Sequence, residues 1–335
     1  MGVRIFAALL LLTVFPALAQ ERLAVGPGQT LRLHASPGPE RPVSAVYALE
    51  FAAGDWIAVT APAALISGSS TEPGITLTGP EGPPVADFGR LVHRVASAGA
   101  YRLAVRNFHA LAVARYPAGH PVVEPGILPS AVRVAAGGLG AVSMAIEPME
   151  PRYDDVPPPS GTPARLAVQV GDGMTIHLYR RDALRQMALW AENPAGRVAA
   201  LLAGTGPIEA GLDLPAYPAG NHSVSYVTRP ERVRGVCFNF LRYIARWTQE
   251  EVYPFDSLTY VALGLSRDGR WFAVVTGTTT PAAVPGQPAA ARDGRSASYE
   301  AALTRRIAGD AKALSPGIAA LDAVAASLTL PCGTP

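Results

Sequence analysis

Between Arg22 and Pro117 hydrophobic and polar residues alternate in short runs parted by turn residues. In "SAVYALEF" the alternation sets Tyr47, Leu49 and Phe51 on one face and Val46, Ala48 and Glu50 on the other. After the "AAGD" turn, "WIAVTA" places Ile57, Val59 and Ala61 opposite Trp56, Ala58 and Thr60. "GITLTGPEG" turns Ile75 and Leu77 inward, and "YRLAVRN" aligns Tyr101, Leu103 and Val105. A period of two, repeated at this spacing, predicts an antiparallel β-sandwich of jelly-roll type over residues 22–117.

From Ala164 the texture changes. "ARLAVQVGDGMTIHLYR" reads as two strands about a Gly-Asp-Gly turn. "DALRQMALWAENPAG" reads as a helix capped by Asp182, with Leu184, Met187 and Trp190 about a turn apart and Asn193-Pro194 as its end. "NHSVSYVT" and "VRGVCFNFLRYI" are strands. At the C-terminal end Tyr299, Leu303 and Ile307 line one helix, and Ile318, Leu321, Val324 and Leu328 line a second that starts after Ser315-Pro316. Strands flanked by helices predict an α+β domain over residues 164–330, built on an antiparallel sheet.

"LSRDGRWFAVVTG", Leu265 to Gly277, has the texture of one propeller blade. A propeller repeats its blade several times, because one small sheet cannot bury both faces. The second Asp-Gly-Arg, near Arg292, has no hydrophobic strand after it, so the stretch is read as a hairpin turning at Asp268-Gly269. Residues 118–163 are dense in Pro and Gly and are expected to connect the two domains, with "AVRVAAGG" and "AVSMAIEP" as minor strands and the boundary near Pro157.

"MGVRIFAALLLLTVFPALAQ" changes the picture of where the chain works. Arg4, an apolar run from Ile5 to Val14 and Ala17-Leu18-Ala19 predict a signal peptide, residues 1–19, and a product secreted or held in the periplasm. No later run reaches spanning length, so no membrane span is expected after cleavage. Formal charge is +2, and Arg4 supplies one of these. So even a balance gives no reason to expect nucleic acid. Lys312 is the one lysine among 28 basic residues, which marks the arginines as genome composition rather than a phosphate-binding device. Cys237 and Cys332 form an even pair in an exported chain and are expected to make a disulfide. That bond would close a loop of roughly 100 residues, for about 4 to 5 kcal/mol in the chain-entropy model.

Two resemblances sit on these residues. "YALEFAAGDWIAV", "ITLTGPEG" and "AGAYRLAVRN" resemble the bacterial pre-peptidase C-terminal family of small β-sandwich modules, and are similar also to secreted lysozyme-inhibitor folds. The resemblance spans roughly Ser44 to Asn107 and implies an accessory module without catalytic residues. "RVRGVCFNFLRYIARW", "SLTYVALGLSRDGRWFAVV" and "SPGIAALDAVAASL" resemble, in that order, a family of uncharacterised secreted bacterial proteins. That resemblance spans roughly Val224 to Leu328 and implies an exported two-domain protein.

Chemistry is sparse along the chain. His34, His93, His109, His120, His177 and His222 include no HxH or HExxH spacing, so neither a metal nor another cofactor is expected. Hydrolase signatures such as GxSxG and SxxK are absent, and no catalytic residue is assigned. Asp154-Asp155 lies among prolines with nothing to desolvate it. "GDG" at Gly171 and "GTG" at Gly204 read as turns. The candidate binding surface is basic and aromatic: Arg232 and Arg234 share a strand face, Arg242 and Arg246 join it if the strand continues, and Trp247 is adjacent. Its partner would be an envelope protein or an anionic glycan. The expectation is therefore an exported, non-enzymatic binding or accessory protein. The alternative is an envelope hydrolase whose site gathers dispersed residues such as His177, Asp213 and His222.

Overall fold

A computed structural model describes residues 21–34, 43–61, 74–108, 110–151, 161–186, 194–211, 214–215, 223–248, 254–284 and 297–331. The expected signal peptide lies outside them. Two compact units divide the chain at Arg115 and Tyr116. Antiparallel strands dominate both, and helices are few. No described helix is long and apolar enough to cross a membrane.

The first unit holds β1 (Glu21–Arg22), β2 (Thr30–His34), β3 (Val43–Phe51), β4 (Trp56–Thr60), β5 (Ile75–Thr78), β6 (Val85–Asp87), β7 (Arg90–Arg94), β8 (Gly99–Phe108) and β9 (Ala110–Tyr116). They form two sheets, in the orders β1-β3-β8-β5-β6 and β2-β9-β4-β7. Alternation in the sequence becomes alternation in burial: Tyr47, Leu49 and Phe51 on β3 meet Ile57 and Val59 on β4 and Leu103 and Val105 on β8 in one buried cluster fed by both sheets. At the "AAGD" turn Gly54 takes φ 85°, and Asp55 folds inward to accept from the Ala52 amide at 3.0 Å. Arg115 meets the same carboxylate through Nε at 2.8 Å and a terminal nitrogen at 2.6 Å, so this buried charge is paired.

The second unit contains β10 (Val142–Glu147), β11 (Glu150–Pro151), β12 (Gly161–Thr162), β13 (Arg165–Val170), β14 (Met174–Arg180), α1 (Arg181–Gln186), α2 (Pro194–Ala203), β15 (Ser223–Arg234), β16 (Phe238–Thr248), β17 (Leu258–Ser266), β18 (Trp271–Pro281), α3 (Ala297–Gly309), β19 (Leu314–Ser315) and α4 (Ile318–Ser327). Its main sheet runs β10-β13-β14-β18-β17-β16-β15, with β19 joined to β18. Both faces of this sheet are buried at its centre. On one, Ile176, Phe240, Tyr260 and Val275 pack with Leu303 of α3 and Leu321 and Val324 of α4. On the other, Leu241, Val261, Leu263 and Phe272 pack with Leu184 of α1 and Ala195 and Val198 of α2. Central strands buried on both sides explain the near-continuous hydrophobic run of "LTYVALGL".

The propeller-like stretch is the β17–β18 hairpin. Gly269 takes φ 69°, its amide bonds the Ser266 carbonyl at 2.9 Å, and Ser266 Oγ accepts from the Trp271 amide at 2.9 Å. At the β13–β14 turn Gly171 has φ 57°, and a Cβ there would lie 2.0 Å from the Leu139 carbonyl oxygen. Only glycine fits that position.

Three expectations are corrected. Residues 118–151, expected to belong to a connection from 118 to 163, fall within the second unit. Val122, Val123, Ile127 and Val132 are buried, β10 pairs with β13, and Arg133 bridges Thr329. Pro and Gly limit regular structure there without preventing apolar side chains between them from being covered. Most of the proline run, with Asp154 and Asp155, lies outside the described residues. Pro194 begins a helix instead of ending one, in the first position where its missing N–H costs nothing. Asp182 stands inside the first turn of α1 rather than before it, and Met187 and Trp190 lie outside the described residues.

Candidate functional site

The expected basic face is not formed as one surface. The chain turns at Gly235, whose amide bonds the Phe238 carbonyl at 2.8 Å, so "VRGVCFNFLRYI" is two antiparallel strands. Arg232 stands opposite Leu241 and Arg234 opposite Asn239, whereas Arg242 stands opposite Glu231. Opposed residues share a face, so Arg232 and Arg234 project toward the α2 side while Arg242 and Arg246 project toward α3 and α4.

Each member then has its own task. Arg232 donates to the Leu201 carbonyl at 2.9 Å and the Gly206 carbonyl at 2.7 Å, tying down the end of α2. Arg234 is exposed. Trp247 packs partly buried against the cluster under α2. Arg246 donates to Asp256 at 2.8 Å and the Ser257 carbonyl at 2.9 Å, with its guanidinium 4.9 Å from the centre of the Phe255 ring. That hydrogen bond holds the Asp256 carboxyl below its usual range.

Other arginines do converge. A cavity of about 360 Å³ opens where β14 runs into α1 and where the β17–β18 hairpin turns. Arg180, Arg181, Asp182 and Arg185 line it from one segment, and Gly269, Arg270 and Trp271 from another. Arg180 grips Asp182 through two nitrogens, at 3.0 and 2.5 Å. Burial pushes the Asp182 carboxyl up, but the Arg180 guanidinium more than offsets this and holds it below its usual range. Arg270 pairs with Asp268 at 2.7 Å. Arg181 and Arg185 pair with no acid among the described residues, and Arg181 Nε is buried without a hydrogen bond. They stand four residues apart on α1, the spacing at which like charges repel. Four guanidiniums against two carboxylates leave this site cationic.

A second cavity, of about 370 Å³, lies between the end of α3, the start of α4 and the β15–β16 pair. Its inner wall is Arg242, only 2 % exposed, whose guanidinium meets Glu231 at 2.6 Å, Asp322 at 3.2 Å and the Arg229 carbonyl at 2.6 Å. Glu231 also holds Arg229 at 2.7 Å, and the Tyr260 hydroxyl donates to Asp322 at 2.8 Å. Burial raises the Asp322 carboxyl above its usual range, outweighing Arg242 and Tyr260, and it lifts Tyr260 well above the phenol range. Arg229 takes φ 55°, uncommon for a side chain of its size, at a register shift between Thr228 and Glu231.

The described histidine side chains, His93, His120 and His177, occupy β7, the loop after β9 and β14. His177 Nε2 lies 3.6 Å from Glu147, which lies 2.5 Å from Arg165. Burial, followed by Arg165, lowers its pKa to about 4. Asp213, His222 and Cys332 lie outside the described residues. Cys237 is buried, its sulfur 3.4 Å from the Leu330 carbonyl, two positions before Cys332.

Sequence reasoning missed both cavities. "YRRDALR" carried three of the arginines in plain view, but Arg270 comes from a turn some 85 positions later. Asp322 lay in a helix face read only for its apolar residues. No family model matches the chain, and no curated protein or solved structure matches it.

Proposed function

We propose that the chain is an exported, non-enzymatic binding protein of the bacterial envelope, and that the arginine-lined cavity beside α1 takes an anionic group. Two guanidiniums with no acidic partner among the described residues, Arg181 and Arg185, held four residues apart at the cavity wall, carry this reading. A phosphate or carboxylate between them would turn repulsion into charge-assisted hydrogen bonds, for which arginine's planar fork is suited. An anionic glycan or an acidic segment of an envelope protein supplies such a group. In this reading the first body is a β-sandwich accessory module, as its resemblance to the pre-peptidase C-terminal family implies, the second is an α+β domain, and a Cys237–Cys332 disulfide secures the tail.

Isothermal titration of residues 20–335 with inorganic phosphate and with an oligogalacturonate tests it. Hydrogen bonds to charged groups contribute about 1.5 to 3 kcal/mol each, so replacing Arg181 and Arg185 by Gln should weaken binding by roughly a hundredfold or more. Equal binding by parent and double variant, or none by either, would remove the cavity from the account.

A further inference from the structure

We infer that the second cavity, between α3, α4 and the β15–β16 pair, is a separate site for a small zwitterion, a free amino acid with an apolar side chain. Its charges differ in kind from those beside α1. Arg242 has an acceptor on each of its three nitrogens, and both oxygens of Glu231 are engaged. Two polar edges remain open. Asp322 Oδ1 receives both Arg242 and Tyr260, while its other oxygen carries no hydrogen bond among the described residues. Arg229, whose side chain is 35 % exposed, uses one terminal nitrogen on Glu231, and its other terminal nitrogen carries no hydrogen bond among the described residues.

One edge therefore asks for a donor or cation and the other for an acceptor or anion. The lining also includes Asp310, so three carboxylates face two guanidiniums and a simple anion is disfavoured. A molecule bearing an ammonium and a carboxylate satisfies both edges without adding net charge. The remaining wall suits its carbon atoms: Ala308, Gly309 and Gly317 leave room, and Ile307, Leu314 and Ile318 offer apolar surface. The volume, about 370 Å³, is at the small end of ligand pockets. The strained backbone at Arg229 fits a residue held in place for a ligand.

Titration calorimetry of residues 20–335 with L-leucine tests this. Leucinamide, lacking the carboxylate, and N-acetyl-leucine, lacking the ammonium, should each bind at least about tenfold more weakly, one charge-assisted contact being lost in each. Arg229→Gly, which relieves the positive φ and so folds, should weaken L-leucine and leave leucinamide unchanged. Asp322→Asn, checked for an unaltered circular dichroism spectrum, should do the reverse with N-acetyl-leucine. Absence of leucine binding, equal binding of all three compounds, binding of glucose in their place, or indifference to both substitutions would each overturn the inference.

Discussion

Arg242 and Arg181 bring the same guanidinium into two cavities of the second body, and among the described residues Arg242 meets side-chain partners there while Arg181 does not. Arg242 comes from β16, beside the edge strand β15, and is only 2 % exposed; a charge without acceptors there would be very costly, and three acceptors surround it. Arg181 comes from the first turn of a short helix beside an open cavity, where water shares the work of solvation. Burial demands internal pairing and exposure leaves charge to spare. Arginines serving the fold and arginines available to a ligand are thus told apart by their surroundings rather than by their spacing in the chain.

Substitutions can break or sharpen that contrast. The largest effect is expected at Arg242: Arg242→Met leaves a desolvated Asp322 without its cationic partner, a loss of about 3 to 5 kcal/mol by analogy with other broken buried pairs. Urea unfolding followed by tryptophan fluorescence would measure it, and a loss under 1 kcal/mol would mean the network is wetter than its geometry implies.

His177 tests the same rule through pH. Its imidazole is neutral in the folded chain down to about pH 4 but takes a proton near pH 6.5 when unfolded. Between those values the unfolded chain binds more protons, so its contribution is complete above 6.5 and is lost as pH falls toward 4, by up to about 3 kcal/mol. His177→Gln should flatten the stability profile over that window and leave the rest of the curve in place. A parent whose thermal midpoint is level from pH 6.5 to 4.5 would contradict the buried, neutral imidazole.

The smallest effect on stability belongs to the open cavity. Arg181→Gln and Arg185→Gln should each move stability by no more than about 0.5 kcal/mol, upward where repulsion is relieved, most visibly at low salt. Loss of 1.5 kcal/mol or more would reassign Arg181 to the fold. A stable double variant that no longer takes up anion would show the two classes of arginine separated in one protein.

Much of this fold was legible before any coordinates, and the reason is local. In the first body a two-residue period must show itself wherever one strand face is buried, so Tyr47, Leu49, Phe51, Ile57 and Val59 announced the cluster they join. Gly171 and Gly269 marked their hairpins because a positive φ has few tenants. Tyr299, Leu303 and Ile307 showed a helix face for a similar reason. By contrast, the turn at Gly235 looked like the middle of a strand, since the hydrophobic run continues through it. Val122 and Val132 looked like linker residues because proline and glycine around them hide any period.

What the amino-acid order determined by itself is whatever neighbours along the chain decide: alternation, helical stripes, turns and the kinds of charge each segment carries. Only the tertiary structure decided which charges meet. Arg270 joins Arg181 and Arg185, and Asp322 joins Arg242 and Tyr260, across separations on which local sequence is silent. The reason is that pairing across such distances follows from sheet register and from which face a strand shows the core. A single turn at Gly235 reverses the chain and sends Arg232 and Arg242 to opposite sides.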